Sequence, residues 1–269
     1  MSAVPVLFGI LASFSIAVIV ILAGTSIERS GSFTRQNTRG VLFNILYYAL
    51  ASVLQKVLGP AGGAVTAFAV GHTAGGLVAL PSKGWWVIPA ALLYIAAMDL
   101  GEYLFHRAQH RIPFLWSMHM LHHSDPDVNI STSVRHFWAE NLLKSVTIYL
   151  AVGLLFKASP TIAFLYWLAA FYNYFVHMRL PIGLGRLGRV MNSPQYHRIH
   201  HSRLPEHAGC NFAGLFSLFD VIFGTYRRPL PGEFPPTGLS NGDCPTGPLA
   251  ALAWPLRRFA LHRAPSTAH

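Results

Sequence analysis

Histidines at helical spacing constrain the fold of this chain more than any other feature of its sequence. Ten of the fourteen histidines lie between residues 106 and 201, and eight of these form three short clusters. The clusters are His106 and His110; His119, His122 and His123; and His197, His200 and His201. Residues three or four apart share one face of a helix, so each cluster can direct its imidazoles toward one point. Because neutral imidazole is the commonest metal ligand, this spacing indicates helices that hold metal, with more ligands than one ion needs.

Isolated histidines in an apolar helix have a simpler explanation. They are usually hydrogen-bonded packing residues or interface anchors, and we assign that role to His72, His262 and His269. The clusters differ, because the 18 residues from 106 to 123 contain five histidines. Each neutral imidazole has one donor and one acceptor, so five of them cannot easily satisfy one another in an apolar setting. A metal would satisfy them together.

The composition places these histidines in a membrane protein. Charged residues make up 11% of the chain, hydrophobic residues make up 52%, and the mean hydropathy is +0.41. Soluble domains carry about 25% charged residues. The net charge of +10 indicates contact with an anionic lipid surface, and no basic stretch has the aromatic interleaving of a nucleic-acid-binding module.

Six apolar stretches are candidates for membrane helices. They are Val4–Gly24, Val41–Leu58, Ala61–Leu80, Trp85–Phe105, Leu142–Phe156 and Thr161–Val176. The first is uncharged and lacks the basic start and small-residue cleavage site of a signal peptide, so we predict a retained membrane helix. The last two are short, and we predict a helical hairpin that dips into the bilayer and returns.

Arginines set the predicted topology. They crowd the first loop and the polar parts after residue 105, which places both in the cytoplasm. Residues 41–80 should then supply one net crossing, with part of the run Gly59–Gly76 at the interface or outside. Two full crossings in this region are the alternative, but they would reverse the charge rule.

Several motifs together resemble those of one family. The clusters read HxxxH, HxxHH and HxxHH, and Asp99-Leu-Gly-Glu-Tyr-Leu-Phe-His106-Arg resembles a DxxxYxxHR lead-in. Leu115-Trp-Ser-Met-His119 resembles an LWxxH step, and Asn211 followed by Asp220-Val-Ile-Phe-Gly-Thr225 resembles a closing signature. Over residues 85–228 the chain resembles the sterol desaturase and fatty acid hydroxylase superfamily of membrane-bound di-iron enzymes.

The resemblance implies an all-α integral membrane bundle of about four transmembrane helices with a cytosolic helical cap. Residues 1–84 would form the N-terminal membrane helices, residues 85–228 the catalytic domain, and residues 229–269 a tail. The cap would hold two irons through histidine, with zinc as a substitute in purified protein. The reaction would be an O2-dependent attack on a lipid C–H bond.

The chain departs from the family pattern at two places. Arg135 and Glu140 keep the spacing of an R-x-H-P-x-E motif, but His136 lies one place early, so a role in supporting the metal ligands and simple packing both stay open. In the family's F-x-H-x-N motif, His177 is kept and Arg179 replaces the asparagine. We therefore predict His177 as a ninth ligand, beside the eight cluster histidines.

A few polar residues could support these ligands. Asp99, Glu102 and Glu140 could orient ligand N–H groups, although Glu102 could equally pair with an arginine. Asn173, one helical turn before His177, could hold a metal-bound water. Two cysteines, Cys210 and Cys244, are predicted to be free thiols.

The sequence therefore predicts an integral membrane enzyme with its active site facing the cytoplasm, in a bacterial inner membrane or a eukaryotic endomembrane. The substrates would be a lipid and O2. Electrons would come from a separate carrier, cytochrome b5-like or ferredoxin-like with a reductase, because the chain contains no reductase or haem domain. The segment Gly183–Gly188 reads GxGxxG but lacks the preceding strand of a nucleotide site, and a loop at lipid headgroups fits better. A non-redox zinc protein, either a hydrolase or a metal carrier, is the alternative, although the HExxH protease motif is missing.

Overall fold

The computed structural model describes residues 3–29, 35–73 and 75–263, and it describes the side chains of residues 12–29, 38–73 and 75–260. Within these ranges the chain is mostly helical, with almost no strand. The helices are α1 (Ala3–Arg29), α2 (Arg35–Gly71), α3 (Val87–Gln109), α4 (Pro113–His123), α5 (Glu140–Lys144), α6 (Leu150–Leu155), α7 (Pro160–Ala170), α8 (Tyr172–Val176), α9 (Pro194–His200), α10 (Leu218–Ile222), α11 (Pro248–Ala251) and α12 (Trp254–Arg263). Short 3₁₀ helices cover Ile130–Val134, Gly185–Arg189 and Pro205–His207, and a π-helical turn covers Ser145–Tyr149.

Three of the described helices are long and apolar enough to cross a bilayer. Their candidate spans are Ala12–Arg29, Thr38–Gly71 and Val87–Gln109. Large apolar side chains point outward from them, including Ile19, Val57 and Leu92. Such surfaces are stable in lipid and costly in water. The chain is an integral membrane protein.

Helix α2 differs from the sequence-based segmentation. The sequence suggested separate apolar segments before and after Pro60, whereas the structure has one helix of 37 residues that continues through Pro60 to Gly71. The glycines here allow close packing. A Cβ atom on Gly62 would lie 2.7 Å from Leu142 Cδ1, and Thr66 Oγ1 donates to the Ser145 carbonyl at 2.6 Å. Close approach of α2 to the start of the hairpin explains these small residues.

The region from 140 to 176 has two short helical arms. The first consists of α5, the π-helical turn and α6, and the second consists of α7 and α8. Between the arms lies β2 (Phe156–Lys157), which pairs in parallel with β1 (Val78–Ala79). At Gly76 φ is +121°, and a Cβ atom there would lie 2.6 Å from Lys157 N, so this contact requires glycine. The two-residue pairing is a small departure from an all-α fold.

We refer to α4 and α9 to α12 together as the cap. Buried Asp220 holds part of it by accepting from the backbone N–H groups of Phe212 and Ala213 and from the Tyr196 hydroxyl. The C-terminal region packs on the same cap: the Trp138 indole donates to the Leu252 carbonyl, and buried Arg198 donates to the Pro235 carbonyl.

Candidate metal centre

The structure brings the three histidine clusters and His177 together in one place. The imidazoles come from the end of α3, from α4, from the residue after α8, and from α9 with the residue that follows it. They form two groups, and within each group one ligand nitrogen per residue lies within 4.8 Å of all the others. The five-histidine group is His106, His110, His119, His123 and His200. The four-histidine group is His122, His177, His197 and His201.

Local sequence signals explain why the helices begin where they do. Pro113 and Pro194 occupy the first turns of α4 and α9, where a missing N–H costs nothing. Ser193 caps α9, and its Oγ accepts from the Tyr196 N–H. On α4, His119 and His123 are one turn apart and fall in the five-histidine group, while His122 falls in the other group. Adjacent histidines on one helix therefore belong to two different groups.

The four-histidine group has nitrogens at the spacing of a coordination shell. His177 Nε2 lies 3.1 Å from His122 Nε2 and 3.0 Å from His197 Nε2, and His201 Nε2 lies 3.2 Å from His197 Nε2. Ligands 2.0 to 2.2 Å from one metal, at angles of 90° to 109°, lie roughly 2.8 to 3.6 Å apart. The observed separations fall inside this interval.

The five-histidine group contains buried nitrogens that lack partners. The Nε2 atoms of His106, His110 and His119 are buried and have no hydrogen-bond partner among the described residues. His123 Nε2 and His200 Nε2 lie 3.1 Å apart. An orphaned buried acceptor carries a desolvation cost, and a cation at the centre of the group would remove that cost for all of them.

Backbone carbonyls fix the orientation of three of these rings. The Nδ1 atoms of His106, His177 and His200 lie 2.7, 2.7 and 2.9 Å from the carbonyl oxygens of Phe212, Asn173 and Cys210. Donation from Nδ1 places the proton there and leaves the Nε2 lone pair free for a metal. The proton assignment follows from these acceptors.

Burial also sets the charge state of the rings. It lowers the pKa of His177 and His200 to about 3, and it holds the pKa of His122, His123 and His197 well below 6.5. Neighbouring imidazoles lower these pKa values further, because two positive charges would repel. The rings are therefore neutral at physiological pH, which is the form that binds metal. Number, spacing, orientation and charge all fit two metal ions.

Glu140 lies directly behind the five-histidine group. Burial raises the pKa of its carboxyl group, but the neighbouring imidazoles of His119 and His136 outweigh burial and keep the pKa well below its usual value. The carboxylate lies 3.8 Å from His119 Nδ1, and it accepts from Gln109 Nε2 at 3.0 Å. An ionised carboxylate at this position can orient His119 and increase its basicity.

His136 lies between the same carboxylate and the other group. Its Nδ1 is 3.3 Å from Glu140 Oε2, and its ring stacks on His122 with centroids 4.2 Å apart. The structure therefore places His136 against His122 of the four-histidine group and against the carboxylate that lies behind His119, a placement that the shifted motif did not specify.

The other polar candidates have different surroundings. Asp99 accepts from the N–H groups of Leu215 and Phe216 at 2.9 and 2.7 Å, so it holds a loop. Glu102 forms an ion pair with Lys144 at 2.7 Å, and not with an arginine. Asn173 orients His177 through its backbone carbonyl, while its side chain donates to the Ser133 carbonyl at 3.4 Å.

A cavity of about 280 Å³ lies against the histidines. Its wall includes His106 and His119 from the five-histidine group and His122, His177 and His197 from the other. Apolar residues complete part of the wall: Ile95, Ala169, Ala170, Phe212 and Leu215. Lys144, Tyr149 and Tyr166 also line it, and sequence reasoning missed these three. They lie in the hairpin, where their spacing relative to the histidines gives no signal.

His72 is not among the residues that line this cavity. His72 Nδ1 is 2.8 Å from the Phe68 carbonyl, and the imidazole ring packs on the Phe68 ring. The side chain of His262 and all of His269 lie outside the described residues. Cys210 and Cys244 are free thiols, as predicted.

The glycine motif has no nucleotide-binding context in the structure. The helix before the motif is α8, and the motif residues from Gly185 onward lie in the 3₁₀ helix Gly185–Arg189. Ser217 Oγ donates to the Gly188 carbonyl at 2.7 Å, which ties this segment to the start of α10. A dinucleotide fingerprint instead requires a strand before the glycines and a helix after them.

Comparison with known families agrees with this histidine framework. The profile of the fatty acid hydroxylase family matches residues 91–225, about half of the chain. The chain belongs to the fatty acid hydroxylase family. The matched residues include all nine histidines of the two groups, and the resemblance inferred from the motifs is confirmed.

Several curated proteins are similar to the chain. Alkylglycerol monooxygenase from Danio rerio is 33% identical over 142 residues, which cover 53% of this chain and 30% of the relative. The human alkylglycerol monooxygenase is 32% identical over 150 residues, which cover 55% and 32%. The ornithine lipid hydroxylase from Rhizobium tropici is 26% identical over 174 residues, which cover 65% and 52%. The match thus spans about a third of the length of the alkylglycerol monooxygenases. No solved structure shows significant similarity to the chain.

Proposed function

We propose that this protein is a di-iron oxygenase that uses O2 and externally supplied electrons to hydroxylate or desaturate a C–H bond of a membrane lipid. The observation that carries the proposal is the pair of converging histidine groups at one cavity of an integral membrane protein. Nine neutral imidazoles form a donor set without thiolate, which an oxidising reaction would damage. The absence of sulfur ligands suits repeated oxidation chemistry.

The two groups would each hold one iron. When bound, an iron pair supplies the activation of O2 that attack on an unactivated C–H bond requires. Zinc binds nitrogen ligands at least as tightly as iron does and can replace it in purified protein. The five-histidine and four-histidine groups would leave different numbers of coordination positions free for substrates.

Residues of the chain itself would prepare the site. Ile95, Ala169 and Leu215 would hold the hydrocarbon part of the lipid and exclude water from the cavity. Glu140 would keep His119 aligned, and the Phe212 carbonyl would do the same for His106. Aligned ligands preserve the geometry of the metal site as its charge changes during turnover.

The named relatives suggest the substrate class. Two of them act, by name, on alkylglycerols or ornithine lipids, and another is a sterol desaturase from Gibberella zeae. Their common feature is a lipid substrate, which agrees with a cavity in a membrane protein. We propose a separate electron donor, cytochrome b5-like or ferredoxin-like with a reductase. The arginine distribution supports a cytoplasmic orientation of the site.

The test is reconstitution of purified protein with Fe(II), with zinc or with no metal, followed by incubation with membrane lipid, O2 and a reductant. We expect O2 consumption with iron alone, together with a lipid that has gained one oxygen atom or lost two hydrogen atoms. Mass spectrometry of the extracted lipid provides the readout. Turnover by zinc-loaded protein without O2 would overturn the oxygenase proposal and favour the zinc hydrolase alternative.

A further inference from the structure

An ion pair lies in the wall of the cavity and has no part in holding the histidines. Lys144 Nζ and Glu102 Oε2 are 2.7 Å apart, and their side chains are 17% and 27% exposed. Both residues line the cavity. The pair is therefore accessible to a molecule bound there.

The pair lies close to the candidate metal centre. Glu102 is one turn before His106 on α3, and Lys144 is one turn after Glu140, at the end of α5. Four helical residues correspond to about 6 Å along the axis. A group bound by the pair would therefore be only a few bonds away from the part of the same molecule that faces the histidines.

Two tyrosines add hydrogen-bonding groups to the same region. Tyr149 and Tyr166 line the cavity, and each phenol hydroxyl can both donate and accept a hydrogen bond. The π-helical turn begins at Ser145, directly after Lys144, and ends at Tyr149. Such turns are rare and occur frequently at functional sites.

The chemistry of the pair favours a neutral polar ligand. The ammonium of Lys144 has three donors, and the Glu102 carboxylate has several acceptor sites. A hydroxyl group can accept from the ammonium and donate to the carboxylate at the same time. Because the pair is neutral overall, a charged ligand group would be attracted by one partner and repelled by the other.

A purely structural explanation is weaker. An ion pair removed from water gains little over apolar residues of similar volume, and replacing such pairs is often neutral or stabilising. Two helices that merely touch at this point could be held by apolar packing.

We propose that Glu102 and Lys144 bind a hydroxyl group of the lipid substrate and thereby determine which carbon faces the histidines. The inference rests on the proposed oxygenase function and narrows its substrate class to lipids with a free hydroxyl a few bonds from the oxidised carbon. Glu102 and Lys144 are positioning and specificity residues in this scheme.

A matched pair of probes tests the proposal by binding alone. The probes are 1-O-hexadecylglycerol and hexadecyl propyl ether, which share one skeleton and differ by two hydroxyl groups. Equilibrium binding of each radiolabelled probe is measured on the full chain in lipid nanodiscs. Hydrogen bonds to charged groups should make the wild type bind the glycerol ether about 10 to 100-fold more tightly.

The variant Glu102→Leu/Lys144→Met replaces the pair with apolar side chains. Its preference should fall to within about twofold, with metal content and ether binding unchanged. The variant Glu102→Gln keeps the side-chain shape and should lose about three to tenfold in glycerol-ether binding alone, because neutral hydrogen bonds are weaker. Asp243→Leu/Arg258→Met removes another short ion pair, 2.6 Å in length, and should leave the preference intact.

The outcomes separate the two proposals. The proposal of hydroxyl recognition would be overturned if the wild type bound both probes equally. It would also be overturned if the two Glu102 variants bound both probes equally more weakly, and the ion pair would then only hold α3 and α5 together. Loss of metal in those variants would do the same. If the binding preference holds while iron-loaded protein oxidises neither probe nor any membrane lipid, the oxygenase proposal fails and the hydroxyl site stands.

Discussion

The two histidine groups differ in what holds their rings. In the five-histidine group, backbone carbonyls fix His106 and His200, and the Glu140 carboxylate lies 3.8 Å from His119 Nδ1, which has no hydrogen-bond partner among the described residues. In the four-histidine group a carbonyl fixes His177, whereas the Nδ1 atoms of His122, His197 and His201 have no hydrogen-bond partner among the described residues. More rings of the five-histidine group are therefore oriented by contacts with other residues.

The groups also differ in their access to the cavity. Three of the four histidines in the smaller group line it, compared with two of the five in the larger. With six positions around an octahedral metal, four nitrogens leave two positions open and five leave one. We therefore expect the five-histidine group to anchor its metal and the four-histidine group to be the more accessible to O2 and substrate.

Loss of a single ligand should have the largest effect and should separate the groups. His119→Ala, His122→Ala and His200→Ala should each abolish turnover, a larger loss than the 10 to 100-fold typical of residues that only support ligands. His122→Ala leaves three nitrogens in its group and should lower bound metal from two ions toward one, whereas His119→Ala leaves four and should retain more metal. Metal analysis beside a turnover assay measures both. Wild-type turnover in His119→Ala at normal expression would contradict the site assignment.

Acid should destabilise the metal-free protein. The folded-state pKa of His177 and His200 is about 3, below the value of 6.5 expected in the unfolded chain. As the pH falls below 6.5 the unfolded chain takes up protons that the folded chain cannot, so stability falls between about pH 6.5 and 3. Each unit of pKa difference corresponds to about 1.4 kcal/mol per histidine. Thermal unfolding of metal-free protein at pH 7.5, 6.5 and 5.5 is the measurement, and a constant midpoint would show that the rings are not held neutral.

Removing the Glu140 carboxylate should have an intermediate effect on metal binding by the five-histidine group. Glu140→Gln keeps the shape but removes the charge behind His119, and we expect a 10 to 100-fold loss of metal affinity or activity. Isothermal titration of metal into the metal-free protein measures the affinity directly. If metal affinity falls in the four-histidine group alone, the assignment of Glu140 to the five-histidine group is wrong.

The helical spacing of the eight cluster histidines, interpreted as metal ligands, predicted that they meet at one site, and the family resemblance added His177. It could not divide the nine residues into two groups. His122 and His123 are adjacent in sequence but belong to different groups, since neighbouring helical residues point about 100° apart. That division depends on how α3, α4, α8 and α9 cross, which is a tertiary property.

Long apolar runs predicted the first and third membrane helices, but local reasoning failed around Pro60. Proline and glycine ordinarily interrupt helices, yet α2 continues through them because its small residues pack against α5. Lys144 was missed for a related reason: its ion pair with Glu102 joins residues 42 positions apart in the sequence. The sequence around either residue contains no local signal for such a contact.

His136 tests the boundary between the groups with a smaller effect. Its ring stacks on His122, and its Nδ1 contacts the Glu140 carboxylate that lies behind His119, so it is linked to the five-histidine group through Glu140 and to the four-histidine group directly, while remaining partly exposed. His136→Ala should lower turnover about tenfold with metal retained, because two ligands lose a neighbour but no coordination bond is lost. Turnover and metal content are measured on the same preparation. Complete loss of activity with release of metal would instead make His136 a ligand.

His72 should be the least sensitive of the described histidines. It follows α2, its ring packs at a tilt against the Phe68 ring, and its Nδ1 is 2.8 Å from the Phe68 carbonyl. It is not among the residues that line the cavity. His72→Ala removes one exposed contact, and surface changes of this kind alter stability by no more than about 0.5 kcal/mol. Turnover should stay within about threefold of the wild type, with two metals bound. A loss comparable to that of His136→Ala would show that the functional unit extends along α2, beyond both histidine groups.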